Sequence, residues 1–244
     1  MEICTFGISK RIRFAAEYLS GGGVDLPYRR VVLLPVPTTK DKKFITGTEC
    51  RLEEILPMSE AGALVVGYAL PDWLCGAISE RGAEIFDLAL DEEFLVENAE
   101  LTAHGTLGRL LLSEPRGIRG RKVGIVGYGR IGKALARLLL FLRADVTVFS
   151  SRPEVVIELC RSGVSAELSS ADTEPFGLDI LINTAPSPLP FEEKLVKIPR
   201  IIELASGKNL PELPTVERYP SIPEELYPGA AGEAIARRIL KKMA

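Results

Sequence analysis

One stretch constrains this chain more than any other: Lys122-Val123-Gly124-Ile125-Val126-Gly127-Tyr128-Gly129-Arg130-Ile131-Gly132-Lys133-Ala134-Leu135-Ala136. Glycines at 127, 129 and 132 follow an apolar strand pattern and open a helical one, the setting in which this spacing carries meaning. Gly127 permits a tight turn, Gly129 lets the backbone approach a pyrophosphate, and Gly132 lets helix and strand pack closely. The helix N-terminus behind them offers N–H groups and the positive end of its dipole to phosphate. The expectation is a parallel-sheet domain that binds a dinucleotide at Gly127, Tyr128, Gly129, Arg130, Ile131 and Gly132. The alternative is a merely tight strand–helix turn.

The end of the next strand tests which dinucleotide is bound. In NAD sites an acidic residue ~20 positions beyond the first glycine holds the ribose 2′-hydroxyl. Here the strand Val146-Thr147-Val148-Phe149 runs into Ser150-Ser151-Arg152, with no carboxylate. A guanidinium presents a planar fork of donors suited to a 2′-phosphate, and serine hydroxyls can donate beside it. The cofactor expected is NADP. Further on, Asp179-Ile180-Leu181-Ile182 leads into Asn183-Thr184-Ala185-Pro186. Parallel sheets bind ligands at the carboxyl ends of their strands, which places these four residues at the nicotinamide side of the crevice. The same reasoning places Glu203-Leu204-Ala205-Ser206-Gly207, after the following strand, at the crevice, with Ser206 among them.

Short aliphatic runs alternating with helical patterns predict an α/β fold. In the first part, strands are predicted at 3–7, 31–36, 63–67 and 84–87, and helices at 11–19, ended by Gly21-Gly22-Gly23, and at about 71–81. The pattern from Glu92 to Leu112 is helical but reads as broken at Gly105 and Gly108, with Asn98 to Leu112 connecting two lobes. In the second part, strands are predicted at 122–126, 145–149, 164–168, 179–183 and 200–204, and Pro211 to Pro228 reads as irregular. Apolar positions Ala230, Ala234, Ile235, Ile239 and Leu240 mark a terminal helix. The expected architecture is two Rossmann-like lobes with doubly wound parallel sheets. Residues 1–97 form the substrate lobe, 98–228 the connecting helix and NAD(P)-binding domain, and 229–244 a C-terminal helix returning to the first lobe.

Composition narrows the functions. With 30 Lys+Arg against 33 Asp+Glu among 244 residues, the chain carries a formal charge of −3, which gives no electrostatic reason to expect nucleic acid. Cys4, Cys50, Cys75 and Cys160 are widely separated and there is a single histidine, so no metal site is expected. Reduced thiols, the absence of a signal-peptide pattern and the lack of any apolar run of ~20 residues point to a cytoplasmic protein without a membrane segment.

Candidate catalytic groups are few. His104, the lone histidine, titrates near neutral pH and suits proton removal, though a surface role is equally natural. Thr38 and Thr39 follow a strand's carboxyl end and offer donors to a substrate carboxylate. Lys40, Lys42 and Lys43 beside them could neutralise an anion or simply form a solvated face. Together with Asn183, Thr184 and Ser206, these hydroxyl, amide and ammonium donors favour a small anionic substrate such as a dicarboxylate.

The glycine turn, the Asn183-Thr184-Ala185-Pro186 loop and the two-lobed layout resemble the D-2-hydroxyacid dehydrogenase and adenosylhomocysteinase group. A closer similarity is to the dipicolinate synthase A family of spore-forming bacteria. It rests on Leu34-Pro35-Val36-Pro37-Thr38-Thr39, on Asn98 with Thr102 and Gly105-Thr106, and on Ser150-Ser151-Arg152. Leu204-Ala205-Ser206 and Pro228-Gly229-Ala230-Ala231-Gly232 complete it. The resemblance implies NADP-dependent oxidation of dihydrodipicolinate to dipicolinate in spore formation, a homodimer or other homo-oligomer, and a second, flavoprotein-like subunit. The hydroxyacid dehydrogenases use a histidine downstream of the glycine turn, whereas His104 lies upstream. The family's arginine and Pro-Gly-Gly turn after Ser206 are replaced by Gly207-Lys208-Asn209. A different substrate for a D-2-hydroxyacid dehydrogenase-like enzyme, or a regulatory protein that binds NADP(H) without turnover, therefore stays open.

Overall fold

The computed structural model describes residues 1–21, 27–205 and 209–242. Gly22, Gly23, Ser206, Gly207 and Lys208 lie outside the described residues. The chain forms two compact units, Met1–Asn98 with Pro223–Ala244, and Ala99–Ile222.

The first unit begins with β1 (Glu2–Thr5), α1 (Lys10–Gly21), β2 (Arg30–Leu33), β3 (Ala63–Gly67), α2 (Asp72–Glu80) and β4 (Glu84–Asp87), and α3 (Glu92–Ser113) starts within it. Its four strands are parallel and stand in the order β1-β2-β3-β4. β3 is buried along its whole length because both faces of the sheet are covered, which is why a central parallel strand reads as an unbroken apolar run. Val31, Leu33, Leu64 and Val66 pack against Ile12, Ala15 and Leu19 of α1. Val32, Leu34 and Val65 face the other way, onto Leu74 and Ile78 of α2. The bounds of β3 and β4 are those the sequence pattern predicts.

The second unit takes the rest of α3, then β5 (Lys122–Val126), α4 (Arg130–Phe141), β6 (Asp145–Ser150), α5 (Pro153–Arg161), β7 (Ser165–Leu168), β8 (Ile180–Asn183), β9 (Ile201–Glu203) and β10 (Val216–Arg218). The six strands are parallel in the order β10-β9-β8-β5-β6-β7. The order reverses between β5 and β8, the switch point at which doubly wound sheets bind ligands. The chain returns to the first unit through α6 (Ile222–Leu226) and α7 (Pro228–Lys242).

Two expectations need correction. α3 runs unbroken through Gly105 and Gly108. A helical glycine costs only about 1 kcal/mol relative to alanine, and buried Ala99, Ala103 and Leu110 carry the helix past both. The stretch 211–228 is not irregular throughout. Val216–Arg218 extends the sheet beside β9, and Arg200 grips Glu217 through Nε–Oε1 at 2.7 Å. A three-residue strand is too short to show a period of its own.

The C-terminal helix returns to the first lobe, as its pattern suggests. Arg238 Nη2 lies 2.8 Å from Asp91 Oδ2, and the other oxygen of Asp91 accepts from Phe94 N at 2.8 Å to cap α3. α7 packs along α1, and Gly232 sits at their contact. A Cβ there would lie 2.5 Å from the Arg11 carbonyl oxygen and 2.8 Å from Ala15 N. Beneath this contact Arg11, only 4% exposed, donates from Nε to Glu224 Oε2 (2.9 Å), from Nη1 to Asn98 Oδ1 (3.3 Å) and from Nη2 to the Val36 carbonyl (2.7 Å). Because the clashing atoms at Gly232 are two backbone atoms and the Phe14 Cβ, which moves only with its backbone, Gly232→Ala is expected to lower stability by about 1–3 kcal/mol or more. Urea unfolding measures it; an unchanged midpoint would contradict the close α1–α7 contact.

Candidate functional site

Two of the three glycines in the turn are held by crowding. Gly127 has φ +89°, a region that favours glycine, and its N–H donates to the Phe149 carbonyl at 2.8 Å. A Cβ on Gly132 would lie 2.2 Å from the Gly127 carbonyl oxygen, so the first turn of α4 rests directly on the end of β5. Gly129 differs: a Cβ there would meet nothing within 4 Å. Its place at the N-cap of α4 brings no side-chain cap, which leaves the helix terminus open to an external acceptor.

These glycines open onto a pocket of about 410 Å³ within the second unit. Gly127, Tyr128 and Gly129 form one wall, and Ser150, Ser151 and Arg152 at the end of β6 form the next. Thr184, Ala185 and Pro186, followed by residues 187–190, close the opposite side. Among the described residues Arg152 is the one charged side chain in the lining, and no carboxylate joins it. Its Nη2 donates to the Tyr128 carbonyl at 3.2 Å, which carries the guanidinium from the end of β6 to the glycine turn. Ser150 Oγ accepts from Arg152 N at 3.2 Å. Thr184 ties the walls together, donating to the Val126 carbonyl from both N and Oγ1 at 2.9 Å.

The other expected residues are distributed differently. Arg130, Ile131 and Gly132 form the first turn of α4 behind the lining. Asn183 does not face the pocket. It is fully buried, and its Nδ2 donates to Glu203 Oε1 at 2.8 Å and to the Ala185 carbonyl at 3.3 Å, while Oδ1 accepts from Ala185 N at 3.1 Å. Thr38 is fully buried in the first unit, where Oγ1 donates to the Pro35 carbonyl (3.1 Å) and accepts from Tyr68 N (2.8 Å). Both sides of its hydroxyl are engaged, so Thr38 offers a substrate nothing. Thr39 Oγ1 is similarly engaged in its own turn, with Asp41 Oδ1 at 3.2 Å and Lys42 N at 3.0 Å. Lys40, Lys42 and Lys43 are exposed, as is His104 on α3, and none of them lines this pocket.

One residue escaped the sequence reading, and a second was placed at its strand end without a role. Ser169 lines the pocket just beyond β7, and its N–H donates to the Ser150 carbonyl at 2.9 Å. Its position past a strand's carboxyl end was the available signal. Glu203, 2% exposed, ends β9. Burial raises its carboxyl above the ordinary glutamate range, opposed by the Asn183 carboxamide, the Ala205 backbone and the charge of Arg218. Its Oε2 makes no hydrogen bond of normal geometry among the described residues.

The pocket fits an anionic dinucleotide. There is open space at Gly129 for a pyrophosphate, a helix N-terminus beside it, and hydroxyls with one guanidinium at the adenosine end. A glycine turn at the switch point of a parallel sheet is the arrangement of dinucleotide-binding Rossmann domains. Comparison with known proteins agrees: residues 102–187 match the NAD-binding domain of the D-isomer specific 2-hydroxyacid dehydrogenases. The chain is 21% identical over 238 residues to dipicolinate synthase A of Bacillus subtilis (strain 168), covering 90% of this chain and 80% of that relative. Among solved structures, dipicolinate synthase A from Bacillus halodurans superposes with a TM-score of 0.77 at 18% identity, over 100% of this chain and 97% of that one. An L-alanine dehydrogenase superposes with a TM-score of 0.60 at 16% identity, over 99% and 88%. The resemblance to the dipicolinate synthase A family thus extends along nearly the whole chain. Among the described residues no helix is long and apolar enough to cross a membrane, and no cluster of metal-ligating side chains occurs.

The raised carboxyl of Glu203 has a signed consequence. A group whose folded pKa exceeds its unfolded value contributes stability below the unfolded pKa and loses it as pH rises through the folded one. Glu203→Gln is neutral at every pH, so its stability relative to the wild type should increase from roughly pH 5 to pH 8. Denaturant midpoints at both pH values test this; a fall in the variant's stability relative to the wild type as pH rises would reverse the assignment.

Proposed function

We propose that the chain is an NADP-dependent oxidoreductase of the dipicolinate synthase A type, acting on a small anionic ring substrate such as dihydrodipicolinate. The observation that carries the reading is the pocket lining: a pyrophosphate cradle at Gly129 that leads to hydroxyls and Arg152 with no carboxylate among the described residues. Arg152, Ser150 and Ser151 would hold the 2′-phosphate, with Ser169 beside them. Gly129 and the start of α4 would take the pyrophosphate. Ala185 and Pro186 would border the nicotinamide end, held in place by Thr184 and Asn183. When bound, NADP supplies a hydride acceptor, and oxidation of the dihydropyridine ring to the aromatic product also releases one proton. A homo-oligomer and a second, flavoprotein-like subunit belong to the same reading through the family resemblance.

A second reading is an NADP(H)-binding regulatory protein without turnover. It is favoured by one finding: among the described residues, the pocket lining contains neither His104 nor any carboxylate to act as a base. Nicotinamide absorbance with purified protein, NADP and dihydrodipicolinate separates the two, since binding without turnover supports the regulator.

Cofactor choice is directly measurable. NADPH should bind more tightly than NADH, and Arg152→Ala should remove most of the difference. Loss of a charge-assisted hydrogen bond corresponds to about ten- to a hundredfold in affinity. Fluorescence titrations giving equal wild-type affinities for the two nucleotides would overturn the NADP assignment.

A further inference from the structure

We propose that Glu203 is a positioning residue of the dinucleotide pocket, acting through Asn183 on the backbone of Ala185. The proposal rests on reading the pocket as the cofactor site, but its geometry stands independently. Asn183 and Glu203 are register partners on the adjacent strands β8 and β9, each at the carboxyl end of its strand. Both are almost wholly buried, at 0% and 2% exposure. A buried carboxyl is costly wherever an apolar side chain would fill the space, so its presence calls for a task.

The hydrogen bonds identify that task. The carboxamide of Asn183 grips both backbone groups of Ala185, and Ala185 lines the pocket beside Thr184 and Pro186. Such a clip works only while the amide plane is held at one rotation. The Ala185 contacts come from the loop being clipped, so they cannot anchor the amide from outside it. Glu203 Oε1, accepting the second Nδ2 hydrogen at 2.8 Å, supplies an anchor from the neighbouring strand. Without it Asn183 is free to turn, and the loop wall loses its defined position. Sub-ångström placement of residues around a ligand depends on support of this kind.

A positioning role and a packing role give different outcomes in one variant. Glu203→Leu keeps the space filled but removes the acceptor, which leaves the buried Asn183 N–H unpaired and lowers stability. The expected result is a protein that still folds, with a lowered unfolding midpoint, and NADPH affinity weakened about tenfold, the size of one lost hydrogen bond; a packing role alone would lower the midpoint and leave affinity unchanged. Glu203→Gln retains the accepting oxygen and should bind NADPH within about twofold of the wild type. Hydrogen exchange at the Ala185 amide, measured without nucleotide, should speed up in Glu203→Leu and stay protected in Glu203→Gln. If Glu203→Leu fails to fold, a reciprocal pair replaces it. Asn183→Asp alone should weaken binding by opposing two carboxyls, and addition of Glu203→Gln should recover most of the loss. Unchanged affinity and unchanged Ala185 exchange in Glu203→Leu, or no recovery in the paired variant, overturns the positioning role. A wild type that binds neither NADPH nor NADH refutes the cofactor reading, while the Ala185 exchange still decides the role of Glu203.

Discussion

The first turn of α4 lies so close to the end of β5 that no side chain fits between them, and the pocket depends on that contact. With a Cβ at residue 132 only 2.2 Å from the Gly127 carbonyl oxygen, the helix start and the strand end behave as one rigid piece. This brings the α4 terminus and the positive end of its dipole to the carboxyl ends of the strands where the strand order reverses. Thr184 fastens the loop after β8 to the same carbonyls, and Arg152 reaches back to Tyr128 from the end of β6. Three separate strand ends thus converge on one glycine turn.

The first unit has its own anchor, of a different kind. Arg11 is a buried cation with three hydrogen-bond partners from three segments: the loop after β2, the residue at which α3 leaves this unit, and α6 just after the chain returns. Ser9 Oγ and Lys10 N also donate to Glu224, so its carboxylate both pairs with Arg11 and caps α1. Burial pulls the guanidinium pKa down while Glu224 pulls it up. Arg11 thus ties together the two points at which the chain leaves and re-enters the unit.

Much of the fold was legible because parallel strands buried on two faces leave unmistakable aliphatic runs. That the glycine turn, Ser150-Ser151-Arg152 and Thr184-Ala185-Pro186 would meet was legible because all three follow strand ends of one parallel sheet, and they line one pocket. Thr38 was misread: its hydroxyl is an internal brace between Pro35 and Tyr68, and those partners are fixed by tertiary structure. Asn183 was placed at the right strand end but faces Glu203 rather than the pocket, a distinction that needs the β8–β9 register. Gly105 and Gly108 looked like helix breaks because local propensity carries no information about the buried residues around them. β10 was hidden by its length, since three residues gain strand geometry only from their neighbour.

The central claim is that Gly129 is open for a ligand while Gly127 and Gly132 are fixed by packing. Its most direct test is NADPH titration of Gly129→Val. The residue has φ −82° and ψ −163°, which any amino acid adopts, and the space around it is empty. The variant should therefore fold with a wild-type unfolding midpoint and fail to bind NADPH at concentrations that saturate the wild type. If Gly129→Val instead binds NADPH as tightly as the wild type, the glycine turn is only a tight turn and the nucleotide site lies elsewhere.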